Sequence, residues 1–412
     1  MTPSCAHSRL RQQVLQILGA ALHAVAPHRL VFEALRSEQH AEVAVIAIGK
    51  AAAGMLSGAR AALAGKIEEI LVVTAAAYAA GLPRDVKWIE GSHPLPDEKS
   101  LAAGEALTAF IQRQPQQRKL IFLISGGASA MVEVLAPGIT IGHLQRVNRW
   151  LLGSGLSIHQ VNSVRKAMSQ IKGGGLLPVI DGRHASCLLI SDVPGDDPGS
   201  IGSGLLTAGE SVRGKGFIDM QLPGWILETL QSNDRSVACS SPESTIIASN
   251  SSALKAAASE AKRLGFEVYL HHQILQGDAV NTASQLAGYL RSAPAGIHLW
   301  GGETTVRLPP APGTGGRNQQ LALAAAIELY GCEDMLLLSA GSDGVDGNSD
   351  DAGALVDGGT VGRGEVQGMD ALAYLESADA NPFLAESGDL IHTGPTGTNV
   401  MDIVIACKEK DI

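Results

Sequence analysis

Short β-branched or leucine-rich runs recur along the chain, each followed by a Gly, Ser or Asp turn and then by apolar residues at helical spacing. The runs are VAVIAIGK (Val43 to Lys50), EILVVT (Glu69 to Thr74), KLIFLISGG (Lys119 to Gly127) and SCLLISDVPGDD (Ser186 to Asp197) in the first half. GFEVYLHH (Gly265 to His272), IHLWGGE (Ile297 to Glu303), DMLLLSAGSDG (Asp334 to Gly344) and VMDIVIAC (Val400 to Cys407) follow in the second. Continuous apolar strands alternating with helices predict a parallel or mostly parallel sheet covered on both faces. In such sheets ligands sit beyond the carboxyl ends of the strands, and the Gly, Ser, Asp and Arg punctuation falls there repeatedly.

Leu10, Val14, Ile17, Leu18 and Leu22 lie near 3.6-residue spacing, so the N-terminal stretch reads as an amphipathic helix and not as a signal peptide. No apolar run is read as long enough to span a membrane. The polar stretch Gln231 to Thr245 lacks periodicity and carries Pro242, which places a boundary near residue 240. Two domains are expected, 1–240 and 241–412. The 412 residues carry a formal net charge of −10, against a nucleic-acid or anionic-membrane partner. Five scattered cysteines without a C-x-x-C fit reduced thiols in a cytoplasm.

The candidate chemistry lies at the strand ends. Lys50 follows the first strand at a helix start, where an ammonium meets a phosphate or carboxylate; an ordinary surface lysine is the competing reading. Gly49 and Gly54 mimic the glycines of a phosphate loop, but Met55 and Leu56 stand where that loop needs Lys and Ser or Thr. No G-x-G-x-x-G follows a strand, so nicotinamide binding has little support. Ser125, Gly126 and Gly127 turn into a helix opened by Ser129, a concavity of N–H groups suited to an anion or a plain capped turn. Asn162, Arg165 and Lys166 fall on one face of a helix, a phosphate-gathering surface or a solvated one. Asp192, directly after a strand, suits Mg²⁺ or a substrate hydroxyl. Arg317 and Asn318 follow Gly315-Gly316 at the mouth of another helix, aimed at an oxyanion. Asp343, Asp346, Asp350 and Asp351 form no EF-hand, and turn formation competes with a role on the rim.

In this order the motifs IGKAAAGM, GSHPLPDEKS, LISGGASA, NSVRK, SDVPGDDP, GGETTV, GGRNQ, SDGVDG and TGPTGTNVMD resemble the glycerate 2-kinase family, whose C-terminal part is called the MOFRL domain. The resemblance runs from about residue 45 to residue 402. It implies two Rossmann-like three-layer α/β/α domains with mostly parallel sheets and an interdomain cleft. It also implies transfer of the ATP γ-phosphoryl group to the 2-hydroxyl of D-glycerate with Mg²⁺. Lys50 and Arg317 would be the catalytic cations, with Asp192 in contact with metal or hydroxyl. The turn Ser125, Gly126, Gly127 and Ser129 would hold an anionic group, and Asn162, Arg165 and Lys166 would gather phosphate. Glu303, Asn318, Asp343, Asp346, Thr396 and Asn399 would serve binding. The implied partners are ATP and a small hydroxyacid; a homodimer is admitted. Rival readings are an NAD(P)H-dependent hydroxypyruvate reductase, a kinase for another small hydroxyacid, and a non-catalytic anion binder. Ala167, Gly175, Leu205 and Gln320 depart from the family pattern, which usually has His, Arg, Pro and Glu there.

Overall fold

The computed structural model describes residues 5–40, 42–156, 158–208, 220, 222–230 and 239–410. Residues 231–238, within the stretch read above as a boundary, and Ser157, where the helix carrying Asn162, Arg165 and Lys166 is expected to begin, lie outside them. The chain forms two compact units.

One unit comprises Pro27–Ala248 and Gly397–Asn399. Its strands are β1 (Val43–Ile48), β2 (Ile67–Thr74), β3 (Trp88–Glu90), β4 (Lys119–Ile124), β5 (Ala185–Ile190) and β6 (Glu243–Ala248). They pair in the order β3-β2-β1-β4-β5-β6, every pair parallel. All six residues of β1 are buried, as a β-branched run covered on both faces requires. Ile46, Phe122 and Leu189 face a core shared with Leu107 and Phe110 of the helix Glu98–Gln112. That helix is started by Asp97, which accepts from Lys99 N while Ser100 Oγ accepts from Asp97 N. The helices Pro27–Leu35 and Ala52–Ala62 pack on the sheet as well. The strand order reverses between β1 and β4, the place where doubly wound sheets bind ligands.

The other unit comprises residues 1–26, Ser249–Thr396 and Val400–Ile412. Its strands are β7 (Val268–Leu270), β8 (Leu275–Asp278), β9 (Gly296–Thr305), β10 (Met335–Gly341), β11 (Gly353–Asp357), β12 (Leu390–Ile391) and β13 (Asp402–Lys408). The order is β12-β11-β10-β13-β9-β7, with β8 also on β9. The α/β class holds in both units, but this second sheet differs from the mostly parallel expectation. Only β7 and β8 run parallel to β9; β9–β13, β13–β10, β10–β11 and β11–β12 are antiparallel. Val404 and Ala406 of β13 face a core with the helices Ala279–Ser292 and Arg317–Glu328. Ile403 and Ile405, also buried, alternate to the opposite face.

The expected division at residue 240 also differs from the compact units. The helix Cys5–Ala24 packs on the helix Asn250–Arg263 and β13, within the second unit. Arg11 donates to Asp389 at 2.7 Å and to the Leu355 carbonyl at 2.7 Å, and pairs with Asp357. By length and composition Arg9–Leu35 passes as apolar enough to cross a membrane, contrary to the sequence reading. In the structure helical geometry breaks at Val25–Ala26, and Val14, Ile17 and Ala21 are fully buried in the fold.

Candidate functional site

In the parallel unit the carboxyl ends of β1, β4 and β5 deliver Lys50, Ser125–Gly127 and Asp192 to one edge of the sheet. The β1 and β4 turns are tied together. Lys50 N donates to the Gly126 carbonyl at 2.9 Å, and Ser125 N to the Ile48 carbonyl at 3.0 Å. Ser125, predicted to bind ligand, is buried with its hydroxyl engaged: Oγ accepts from Ala51 N at 3.0 Å. It positions Lys50 by closing the start of the following helix.

Gly126 shows why this turn needs a glycine. A Cβ there would collide with the Asp192 carboxyl and stand 3.0 Å from the Asn399 amide. The predicted residues Gly126, Asp192 and Asn399 therefore meet at one point. Gly127 has φ +83°, a left-handed conformation that favours glycine. A Cβ on it would lie 3.3 Å from Lys50 Cγ and 3.1 Å from His93 Cδ2. Among the described residues the N–H groups of Gly126 and Gly127 have no protein acceptor, which suits an anion. The helix behind them is shorter than the sequence suggests, a single turn Ala128–Met131, so a helix dipole adds little.

Burial lifts the Asp192 carboxyl to about 6, against the opposing pull of the Lys50 charge. His93 is pushed down to about 4 by burial and by Lys50. Both groups are thus coupled to the lysine, and both shifts are dominated by lost solvation.

The predicted basic face divides. Ser129 Oγ and Ser203 Oγ lie 2.7 Å apart, and Ser203 Oγ donates to Asn162 Oδ1 at 3.5 Å, which links Ser129 to Asn162. Lys166 lays its stem along Gly173, its pKa lowered by burial and partly restored by Asp197. Arg165 turns elsewhere, its Nε donating to Asn148 Oδ1 at 3.1 Å, and burial lowers its pKa. Ala167 and Leu205 are core residues, Gly175 is buried, and the buried Gln320 donates its amide to the Leu375 carbonyl at 2.7 Å. These family departures occupy packing positions.

In the second unit Arg317 is the first residue of the helix Arg317–Glu328. Its guanidinium is already paired. Nε and Nη2 donate to Asp402 at 2.6 and 2.9 Å, and Nη1 meets Glu303 at 2.8 Å. Asp402 is buried and Glu303 half-exposed, and Asp402 and Glu303 raise the arginine's pKa against burial. Sequence reasoning missed Asp402, although it closes the TGPTGTNVMD motif, because its partner lies 85 residues away.

Asp346 is the anion at this helix mouth. Its carboxylate accepts from Asn318 N at 3.1 Å, Asn318 Nδ2 at 3.2 Å and Gln319 N at 2.8 Å. Asp346 and Asn318, expected to touch substrate, thus satisfy one another as a cap, and Ser339 Oγ donates to Asn318 Oδ1 at 2.7 Å. Burial pushes Asp346 up to about 6. Asp343 and Thr396 are joined through backbone, Thr396 N donating to the Asp343 carbonyl at 3.1 Å and Thr396 Oγ1 to the Ser342 carbonyl at 2.6 Å. On the same sheet edge, exposed His392 pairs with Asp351, which also accepts from Asn381 at 2.7 Å; the sequence reading passed over His392.

The comparisons with known proteins agree with this architecture. Residues 13–215 match a family described as a domain of unknown function, DUF4147, and residues 296–402 match the MOFRL family. The D-glycerate 2-kinase of Thermotoga maritima is 34% identical over 411 residues, covering 96% of this chain and 98% of the relative. The glycerate 2-kinase of Pyrococcus horikoshii is also 34% identical, covering 96% and 97%. A crystal structure of the Thermotoga maritima glycerate kinase superposes with a TM-score of 0.83 at 32% identity, covering 97% of this chain and all of that one. The chain belongs to the glycerate 2-kinase family.

Proposed function

We propose that this protein is an ATP-dependent kinase that transfers the γ-phosphoryl group to the 2-hydroxyl of D-glycerate, giving 2-phosphoglycerate and ADP. The observation that carries the reading is the meeting of Lys50, the unclaimed N–H groups of Gly126 and Gly127, and Asp192 at the reversal point of a parallel sheet. Phosphoryl transfer asks mainly for positioning and charge stabilisation, and this constellation offers both. The glycerate O2 attacks phosphorus, the bond from phosphorus to the β–γ bridging oxygen breaks, and the hydroxyl proton passes to Asp192. A carboxylate titrating at about 6 is ionised at neutral pH and basic enough to take it. Lys50 stabilises charge on the phosphoryl oxygens.

Arg317 is the second cation assigned to the reaction. Asp402 orients it bidentately. The half-exposed Glu303 pairs with Arg317 Nη1 at 2.8 Å, so a phosphate oxygen meeting that nitrogen would compete with Glu303. Among the described residues no three His, Cys, Asp or Glu side chains form a cation cage. Mg²⁺ commonly arrives on nucleotide phosphates and keeps several of its waters; Asp192 would reach it through such a water, which leaves the carboxylate able to take the hydroxyl proton, and the ion would neutralise charge between the phosphates. The scattered cysteines suit a reducing cytoplasm.

The test is ADP release on mixing the protein with D-glycerate, ATP and Mg²⁺, with the phosphate located by NMR. Lys50→Ala and Arg317→Ala are each expected to lower kcat by about 10²–10³. NADH oxidation with hydroxypyruvate in place of ADP release would overturn the reading. A faster reaction with another C3 or C4 hydroxyacid would replace glycerate and keep the chemistry.

A further inference from the structure

The motif GSHPLPDEKS places His93 close to Lys50. After β3, Gly91 N donates to the Thr74 carbonyl at 3.0 Å. Gly91 also presses so closely on Met131 that a Cβ would collide with its carbonyl. This double anchoring, at the end of β2 and behind the Gly126–Gly127 turn, fixes His93 beside Lys50. After β2, the short turn Ala76–Tyr78 brings the Tyr78 ring to 5.5 Å from Lys50 Nζ. Tyr78 and His93 meet edge to face, 6.5 Å between centroids and 81° between planes. On the far side the Lys50 stem and His93 converge over Gly127.

We propose that Tyr78 and His93 form an aromatic sleeve that positions the Lys50 ammonium. Both are positioning residues, acting through the lysine. The assignment rests on the reading of Lys50 as the cation that meets the phosphoryl group. The face of a tyrosine ring attracts a cation electrostatically and so holds the ammonium in a set place without adding a negative charge of its own. The imidazole supports the ring without adding a competing positive charge, because burial and Lys50 keep it neutral well below physiological pH.

The experiment is a double-mutant cycle in the full chain, read by ADP release with D-glycerate, ATP and Mg²⁺. Tyr78→Leu keeps bulk but loses the ring face, and is expected to lower kcat about tenfold with little change in the KM for ATP. Tyr78→Phe keeps the face and should recover most of that loss. In a Lys50→Ala background Tyr78→Leu should cost less than about twofold, because the group it positions is gone. His93→Phe and His93→Ala repeat the comparison from the second ring, with Phe expected to retain more activity than Ala. Equal damage from Tyr78→Phe and Tyr78→Leu would assign the effect to the hydroxyl and overturn the proposal. So would losses that multiply in the Lys50→Ala background, which would mark Tyr78 as general structural support. Full activity of Lys50→Ala alone is a different failure: it removes the lysine's assigned role and the sleeve with it.

Discussion

Asp192 is held where folding and the proton-acceptor role proposed for it want opposite charge states. Its carboxyl titrates near 3.8 in an unfolded chain and at about 6 in the fold. Between those values the unfolded chain ionises first, so stability falls as pH rises and the full penalty stands above about 6. Activity runs the other way, since proton acceptance requires the carboxylate and kcat should fall as pH drops through about 6. Asp192→Asn separates the two. At neutral pH it is expected to raise stability by roughly 1–3 kcal/mol while lowering kcat by about 10²–10⁴ and abolishing the acid limb of its pH profile. Thermal melts and pH–rate profiles on the same preparation check both halves. A variant that is less stable and inactive would mean that Asp192 is chiefly a structural ligand of the Gly126 turn.

At the scale of elements, the helix Arg317–Glu328 carries its own anion. Asp346→Ala would leave the N–H groups of Asn318 and Gln319 buried without an acceptor, a cost of about 2–3 kcal/mol in urea denaturation. Asp346→Asn, which keeps one acceptor oxygen, should lose less. The same helix shows what the sequence could and could not disclose. The strands β1, β4 and β5 were legible because a buried parallel strand is a local signal, an apolar run ended by a turn, and that turn lies at the edge where such sheets generally bind ligands. Lys50 and Asp192 followed from that rule. The caps and ion pairs did not, because Asp346 and Asp402 find their partners 28 and 85 residues away, and a turn-forming aspartate looks the same as a rim aspartate in sequence. The antiparallel character of the second sheet was lost in a related way. The strand β11 is only GALVD, immediately after an Asp-rich loop, and was absorbed into that loop. The strand β6 begins inside the polar stretch read as a boundary, because its first residues Glu243 to Thr245 alternate partial exposure with little apolar content.

For the whole molecule, the chain's first helix belongs with its last strands. An amphipathic stripe shows that a helix buries one face but not which partner it meets, so sequence order placed residues 1–26 with the first half. The structure assigns them to the unit built from Ser249 onward, and chemistry explains why. Arg11 adds a second cation to Asp357 and Asp389, two buried carboxylates already bound by Arg363 at 2.9 and 2.8 Å, and the Val14–Ile17–Ala21 stripe is fully buried. Ile17→Ala removes apolar contact from that stripe and should cost about 2–4 kcal/mol. Hydrogen exchange shows where the cost falls. Amides of the helix Asn250–Arg263 and of β13 are expected to exchange roughly tenfold to a hundredfold faster, while those of β1 and β4 keep their rates. Faster exchange centred on β1 instead would mean that the helix stabilises the parallel sheet, and the division of the chain given by the structure would have to be redrawn.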